Sequence, residues 1–202
     1  MDRLELDDRR ELLGLARQSI AARFADAWTP DPPTASNAAA LQQARSSFVT
    51  LQVNGELRGC CGSLDASRPL YVDVWRNAVA AAFGDSRFSS LTEEEWPRVH
   101  LHISALSRPK PFAVEDEAEL IAALRPHLDG VVLELPRAVR TSTSYVAPGR
   151  ATFLPAVWEQ LPDPQSFIQH LKRKAGWPAD FWSSEIRVSR YIAEEFAEDC
   201  AE

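Results

Sequence analysis

The sequence predicts an α+β fold, a largely antiparallel sheet with helices packed against it, and three observations lead there. Asn54-Gly55 between two apolar runs marks a tight hairpin, because both central residues of a type I′ turn need φ > 0. Val99, Leu101, Ile103 and Ala105 alternate with His100, His102 and Ser104, the period of a half-buried strand. Helical periods are intermixed with these strands, and several of the connections are long.

Taken in order, Asp7 or Asp8 caps a first helix running to about Trp28, since Leu12, Ala16, Ile20 and Phe24 recur every four residues. Pro30, Pro32 and Pro33 end it and open an extended linker, with a short helical turn at 38–44. Residues 48–53, rich in β-branched and apolar side chains, form the incoming strand of the hairpin, and 57–61 the return strand. Pro69 suits the first turn of a helix over 69–83, with Leu70, Val74, Ala78 and Ala82 inward and 80–82 all alanine for close packing. Asn77 lies mid-helix, where an ordinary surface asparagine is the plain reading. Residues 84–88 turn out of that helix, and Thr92 to Glu95 has the capping-box pattern for another short one.

After the strand at 99–105, Pro109 and Pro111 make a connection to a helix over 115–127, and Asp129-Gly130 turns into a strand at 131–135. Residues 136–149 read as a long exposed loop. A strand at 151–154 leads through Pro155 into a short helix ending at Gln160. Another starts at Asp163 or Pro164, with Phe167, Ile168 and Leu171 inward and Gly176 as its stop. One last strand spans 186–196, and Cys200 lies in an acidic tail.

Composition narrows the function. The 202 residues, 45% hydrophobic and 25% charged, suffice for one domain over 1–202, with a smaller lobe formed by part of the chain. A net charge of −7 argues against nucleic acid as a partner. The polar start and the lack of any apolar run near ~20 residues argue against a signal peptide and a membrane span. Three cysteines, few and odd in number, point to a reducing cytoplasm.

The chemistry is expected in Leu57-Arg58-Gly59-Cys60-Cys61-Gly62-Ser63-Leu64. Gly59 and Gly62 let the backbone adopt unusual angles or let another group approach closely. A thiol there, beside the charge of Arg58 and exposed N–H groups, has the surroundings that lower a cysteine pKa. Against this, free cysteine more often behaves as a small buried hydrophobe. Adjacent strand residues face opposite sides, so Cys60 is expected toward a cleft with Arg58, and Cys61 toward the core. Asp85 and Arg87 either form a local ion pair or order a loop beside the cysteines. His100 and His102 share a face, yet no third ligand accompanies them, and no metal is expected.

The chain resembles the AMMECR domain family, protein A of the AmmeMemoRadiSam system. The block Leu57-Arg58-Gly59-Cys60-Cys61-Gly62-Ser63 is similar to the family's leucine-arginine-glycine-cysteine-isoleucine-glycine signature. Further matches are Arg76-Asn77-Ala78, Asp85-Ser86-Arg87-Phe88, Asp129-Gly130, Thr152-Phe153-Leu154-Pro155 with Val157-Trp158-Glu159, and Lys174-Ala175-Gly176. The resemblance implies two unequal lobes with a cleft between them, a cytoplasmic home, and association with a Memo-type protein and a radical SAM enzyme. It implies no particular reaction and names no cofactor. Cys61 stands where the family has isoleucine, Ala156 where it often has glutamine, and the loop 136–149 is longer than usual.

Two functions remain open at this point. One is a binding component that presents a small molecule or modified residue to the Memo-type and radical SAM proteins, with Cys60 as a packing residue. The other is an enzyme that uses Cys60 as nucleophile or ligand. In either case Arg58, Gly59, Gly62, Asn77, Asp85, Arg87 and Lys174 are the expected ligand-binding residues. Cysteine catalysis also needs a nearby base, and no histidine stands at a recognisable position for it.

Overall fold

A hairpin, two long helices and two further strands build the first unit of the chain, residues 1–108 with 194–202, and residues 109–193 form the second. The computed structural model describes residues 3–141 and 145–198. In the first unit, α1 (Leu6–Phe24) turns Leu12, Ala16 and Ile20 inward, as their recurrence predicts. Glu5 is its N-cap, in a capping box with Asp8, and the helix ends before the expected Trp28. Asp26 takes a φ of 53°, a left-handed conformation that an α-helix does not continue through.

After α2 (Ala39–Gln42), β1 (Ser47–Val53) turns through Asn54 and Gly55, at φ 53° and 81°, into β2 (Glu56–Gly62). The hairpin is therefore as predicted. Helix α3 (Leu70–Phe83) follows, then β3 (Val99–Leu106), antiparallel to β1. The capping-box bonds between Thr92 and Glu95 form, but they lead into a 3₁₀ turn at Trp96–Arg98 and not an α-helix. Val49, Leu51, Leu101 and Ile103 share one face of this sheet and join α1 and α3 in a single core.

In the second unit, β4 (Lys110–Pro111) precedes α4 (Glu117–Ala123) and β5 (Gly130–Leu135). The helix expected over 115–127 is shorter because Pro126 disfavours helical backbone at Arg125, and His127 takes a φ of 63°. The segment expected to be an open loop holds a small ribbon of β6 (Val139–Arg140) and β7 (Tyr145–Val146); residues 142–144 lie outside the described residues. Strand β8 (Gly149–Phe153) leads to α5 (Pro164–Lys174), which is capped by Asp163 and followed by Gly176 at φ 81°.

The single strand expected at 186–196 is two, β9 (Arg187–Tyr191) and β10 (Ala193–Ala197). Val188 and Tyr191 are both buried although an odd number of residues apart, so both faces of β9 are covered and one alternation cannot run on. Among the described residues the strands form two four-stranded sheets, besides the β6-β7 ribbon, where one sheet was expected: β10-β3-β1-β2 and β4-β9-β5-β8. Each unit has its own apolar core. Among the described residues, no helix is long and apolar enough to cross a membrane. Cys200 lies outside the described residues.

Candidate functional site

Strand β2 is the edge of its sheet, and its outward backbone groups need partners. The loop after α3 supplies them. Asp85 accepts the Cys60 N–H at 2.9 Å and is itself gripped by Arg87, at 2.7 Å from Nη2 and 3.0 Å from Nε. Further along, Leu57 pairs with Gln52 and Gly59 with Leu51, which leaves Arg58 as the extra residue of a β-bulge. A bulge re-aims its side chain. Arg58 donates to Glu95 from Nε at 2.8 Å and from Nη2 at 3.1 Å, and to the Ser89 carbonyl at 2.8 Å. Phe88 lies beside both guanidiniums, 5.9 Å from Arg58 and 5.5 Å from Arg87. Strand and loop are thereby clamped together by the Arg58–Glu95 ion pair and by the hydrogen bond from the Cys60 N–H to Asp85, which Arg87 holds in place.

The arginine expected to favour the Cys60 thiolate thus pairs with Glu95 instead. The two thiols do face opposite sides of the strand, with Cys61 toward the core as expected. Cys60 stands opposite Thr50, whose hydroxyl donates to Sγ at 3.3 Å, whereas Cys61 stands opposite the fully buried Val49 and packs on the core. Burial pushes the Cys61 thiol up, reinforced by the negative charge of Asp85. The Arg87 guanidinium, followed by the Cys60 N–H, holds Asp85 well below the usual carboxylate range. Arg58, with the Thr92 N–H, lowers Glu95 to about 2. His102 pairs with Thr50 from the other side, so Cys60, Thr50 and His102 form a row on the face opposite the helices.

The glycines are explained by packing. A Cβ on Gly59 would lie 2.1 Å from the Ala81 carbonyl oxygen of α3, and one on Gly62 would lie 2.3 Å from the Phe48 ring. Asn77 is buried, not on the surface. Its Nδ2 donates to the Ser47 carbonyl at 3.0 Å and to Asp73 at 2.8 Å. Asp73, with no exposed surface, also accepts from the Ser47 N–H and from the Ser63 hydroxyl, each at 2.8 Å. This buried carboxylate ties the start of β1, the residue after β2, and α3 together. It meets the rule that a buried charge must be hydrogen-bonded and paired, here with Arg68 at 3.4 Å.

The structure therefore brings Cys60, Asp85 and Arg87 into direct contact. Arg58 joins the same loop, and Asn77 belongs to the adjoining Asp73 network. Lys174 belongs to the second unit, where its Nζ donates to the Thr152 carbonyl at 3.1 Å and lies 5.2 Å from the Phe153 ring. Burial lowers its pKa. Thr152 also hydrogen-bonds the Tyr191 hydroxyl at 2.8 Å, and the Asp129 carbonyl accepts from Trp158 at 2.7 Å. Among the described residues, no three His, Cys, Asp or Glu side chains are grouped to hold a metal.

The AMMECR1 family model matches residues 13–196, which contain every residue of both clusters. This chain belongs to the AMMECR1 family. A protein of Methanothermobacter thermautotrophicus is 34% identical over 160 residues, 78% of each chain. One from Thermofilum pendens is 28% identical over 98% of this chain and 93% of its own. The crystal structure of the uncharacterized protein PH0010 from Pyrococcus horikoshii has the same fold, with a TM-score of 0.77 at 24% identity over 93% of this chain and 90% of that one.

In this AMMECR1 chain, sequence reasoning missed Glu95, Asp73, Thr50 and the placement of His102. Asp73 and Asn77 did carry a signal, being polar residues four apart on the buried face of α3. The Arg58–Glu95 pair had none, since it spans 37 residues and depends on a bulge.

Proposed function

We propose that this AMMECR1-family protein is a cytoplasmic binding component, its two units acting as one domain, that holds a small molecule or modified residue for Memo-type and radical SAM partners. The clamped surface around Cys60 is the part it presents. The observation that supports this reading is the neutralisation of every charge beside the thiol: Arg58 by Glu95, and Arg87 by Asp85. A cysteine nucleophile needs a base and an oxyanion site. Asp85 and Glu95 are held as weak bases by their arginines. The backbone N–H of Cys60 itself is already taken by Asp85 and is not free to serve as an oxyanion donor. What remains is a rigid, preorganised surface, which suits recognition.

The test is co-purification and titration with the Memo-type protein. Arg58→Met removes the ion pair that ties Glu95 to β2 and should weaken binding roughly tenfold or more, as for other truncated anchor residues. Binding equal to wild type in a folded Arg58→Met protein would contradict the reading. One observation favours catalysis as a second reading: His102 shares the Cys60 face across Thr50, and among the described residues it has no hydrogen-bond partner. At ~4.8 Å per strand, imidazole and thiol are two strands apart and would need Thr50 or water as a relay. His102→Ala should leave partner binding unchanged under the first reading and abolish turnover under the second.

A further inference from the structure

The second unit contains a cavity of about 330 Å³, and all of its lining residues belong to that unit. Its walls are mostly apolar, with Phe112, Val132 and Ile186 among them. Phe112 is fixed in place: its N–H donates to the Val188 carbonyl at 2.9 Å, and the Arg190 guanidinium lies 4.1 Å from its ring centre. The polar lining comes from one face of the sheet. Glu134 of β5 stands directly opposite Arg187 of β9 on one side and Arg150 of β8 on the other. Two residues along, Val132 stands opposite Ser189.

Glu134 lies between the two guanidiniums, and it is Arg150 that approaches it, at 4.0 Å. Arg187, an exposed residue at the rim of the cavity, has no hydrogen bond or ion pair among the described residues, and neither has the half-buried Ser189 hydroxyl. Both side chains line the cavity and, two apart on β9, point to the same side of the sheet. A small concave site with apolar walls and a few convergent unpaired polar groups is the usual form of a ligand pocket. A guanidinium fork matches a carboxylate in two parallel hydrogen bonds.

We propose that this cavity binds a small carboxylate with an apolar body, its carboxylate on Arg187 and Ser189 and its body against Phe112, Val132 and Ile186. At ~30 Å³ for each water-sized atom group, the volume holds a molecule on the order of ten non-hydrogen atoms. A cation is disfavoured beside the Arg187 guanidinium. The site stands apart from the reading of the Cys60 surface, and either can fail without the other.

Titration of the full chain with 3-phenylpropanoate, followed by ¹⁵N-resolved NMR, tests it. Saturable shifts should map to Val132, Arg187 and Ser189, and the neutral 3-phenylpropanamide should bind roughly tenfold more weakly or worse, the loss expected for removing hydrogen bonds between charged groups. Arg187→Met should cause a loss of the same size with the thermal midpoint unchanged, and Arg187→Lys should recover only part of it. Cys60→Ser should bind the probe like wild type. Absence of saturable shifts, equal binding of acid and amide, or full affinity in folded Arg187→Met would overturn the proposal.

Discussion

Replacing Gly59 with alanine tests whether the glycine of the thiol block is there for packing. The added Cβ would meet the Ala81 carbonyl oxygen at 2.1 Å and its carbon at 3.1 Å. Favourable separations between such atoms are ~3.5 Å or more, so β2 and α3 must part by more than ~1 Å. The obstacle is helix backbone, which has no alternative rotamer. Overpacking costs ~1–3 kcal/mol where side chains can give way, and this site belongs at the upper end, ~3 kcal/mol. For a chain of this length each kcal/mol lowers Tm by ~2–4 °C, so Gly59→Ala should melt roughly 6–12 °C below wild type. Gly14→Ala is the matched control, since nothing lies within 4 Å of the added atom inside α1. It should gain ~0.5–1 kcal/mol from helix propensity. Thermal unfolding followed by circular dichroism reads both. A Gly59→Ala midpoint within ~2 °C of wild type would refute the packing argument, being less than the shift from ~1 kcal/mol.

Two further outcomes follow from the thiol block and its loop. Glu95 is lowered from 4.5 to about 2 in the folded chain, so its stabilisation is complete above pH 4.5 and disappears as pH falls toward 2. Arg58→Met should therefore reduce stability at pH 7 and flatten the pH dependence of urea unfolding in that window; an unchanged acid limb would contradict the pairing. Cys61→Ile should alter stability by less than ~1.5 kcal/mol by urea unfolding, since the side chain is only half-buried against the core. It should leave partner binding intact, and a larger loss of either kind would mean that Cys61 does not simply fill the isoleucine position.

Much of the fold was legible because local rules sufficed for it. Asn54-Gly55, the Leu12-Ala16-Ile20 recurrence and the Asp163 cap each depend on a few adjacent residues, and each appears as read. Legibility failed where tertiary contacts decide. The division of 186–196 between two sheets depends on both faces of β9 being covered, and single-strand alternation cannot report that. Asn77 looked like a surface residue because a mid-helix asparagine is usually exposed, but its partners are a backbone carbonyl 30 residues away and a buried carboxylate one turn earlier. At the site, the facing of Cys60 and Cys61 was legible from strand alternation alone. The partner of Arg58 was not, because the bulge shifts its phase and Glu95 arrives on a loop.

The most direct test of the binding reading is the affinity of Cys60→Ser for the Memo-type protein, measured by calorimetry beside wild type. If the thiol acts only by shape within the clamped surface, the two proteins should bind within about threefold of each other, ~0.6 kcal/mol. A folded Cys60→Ser protein that loses binding, or a wild-type protein that shows none, would contradict the account.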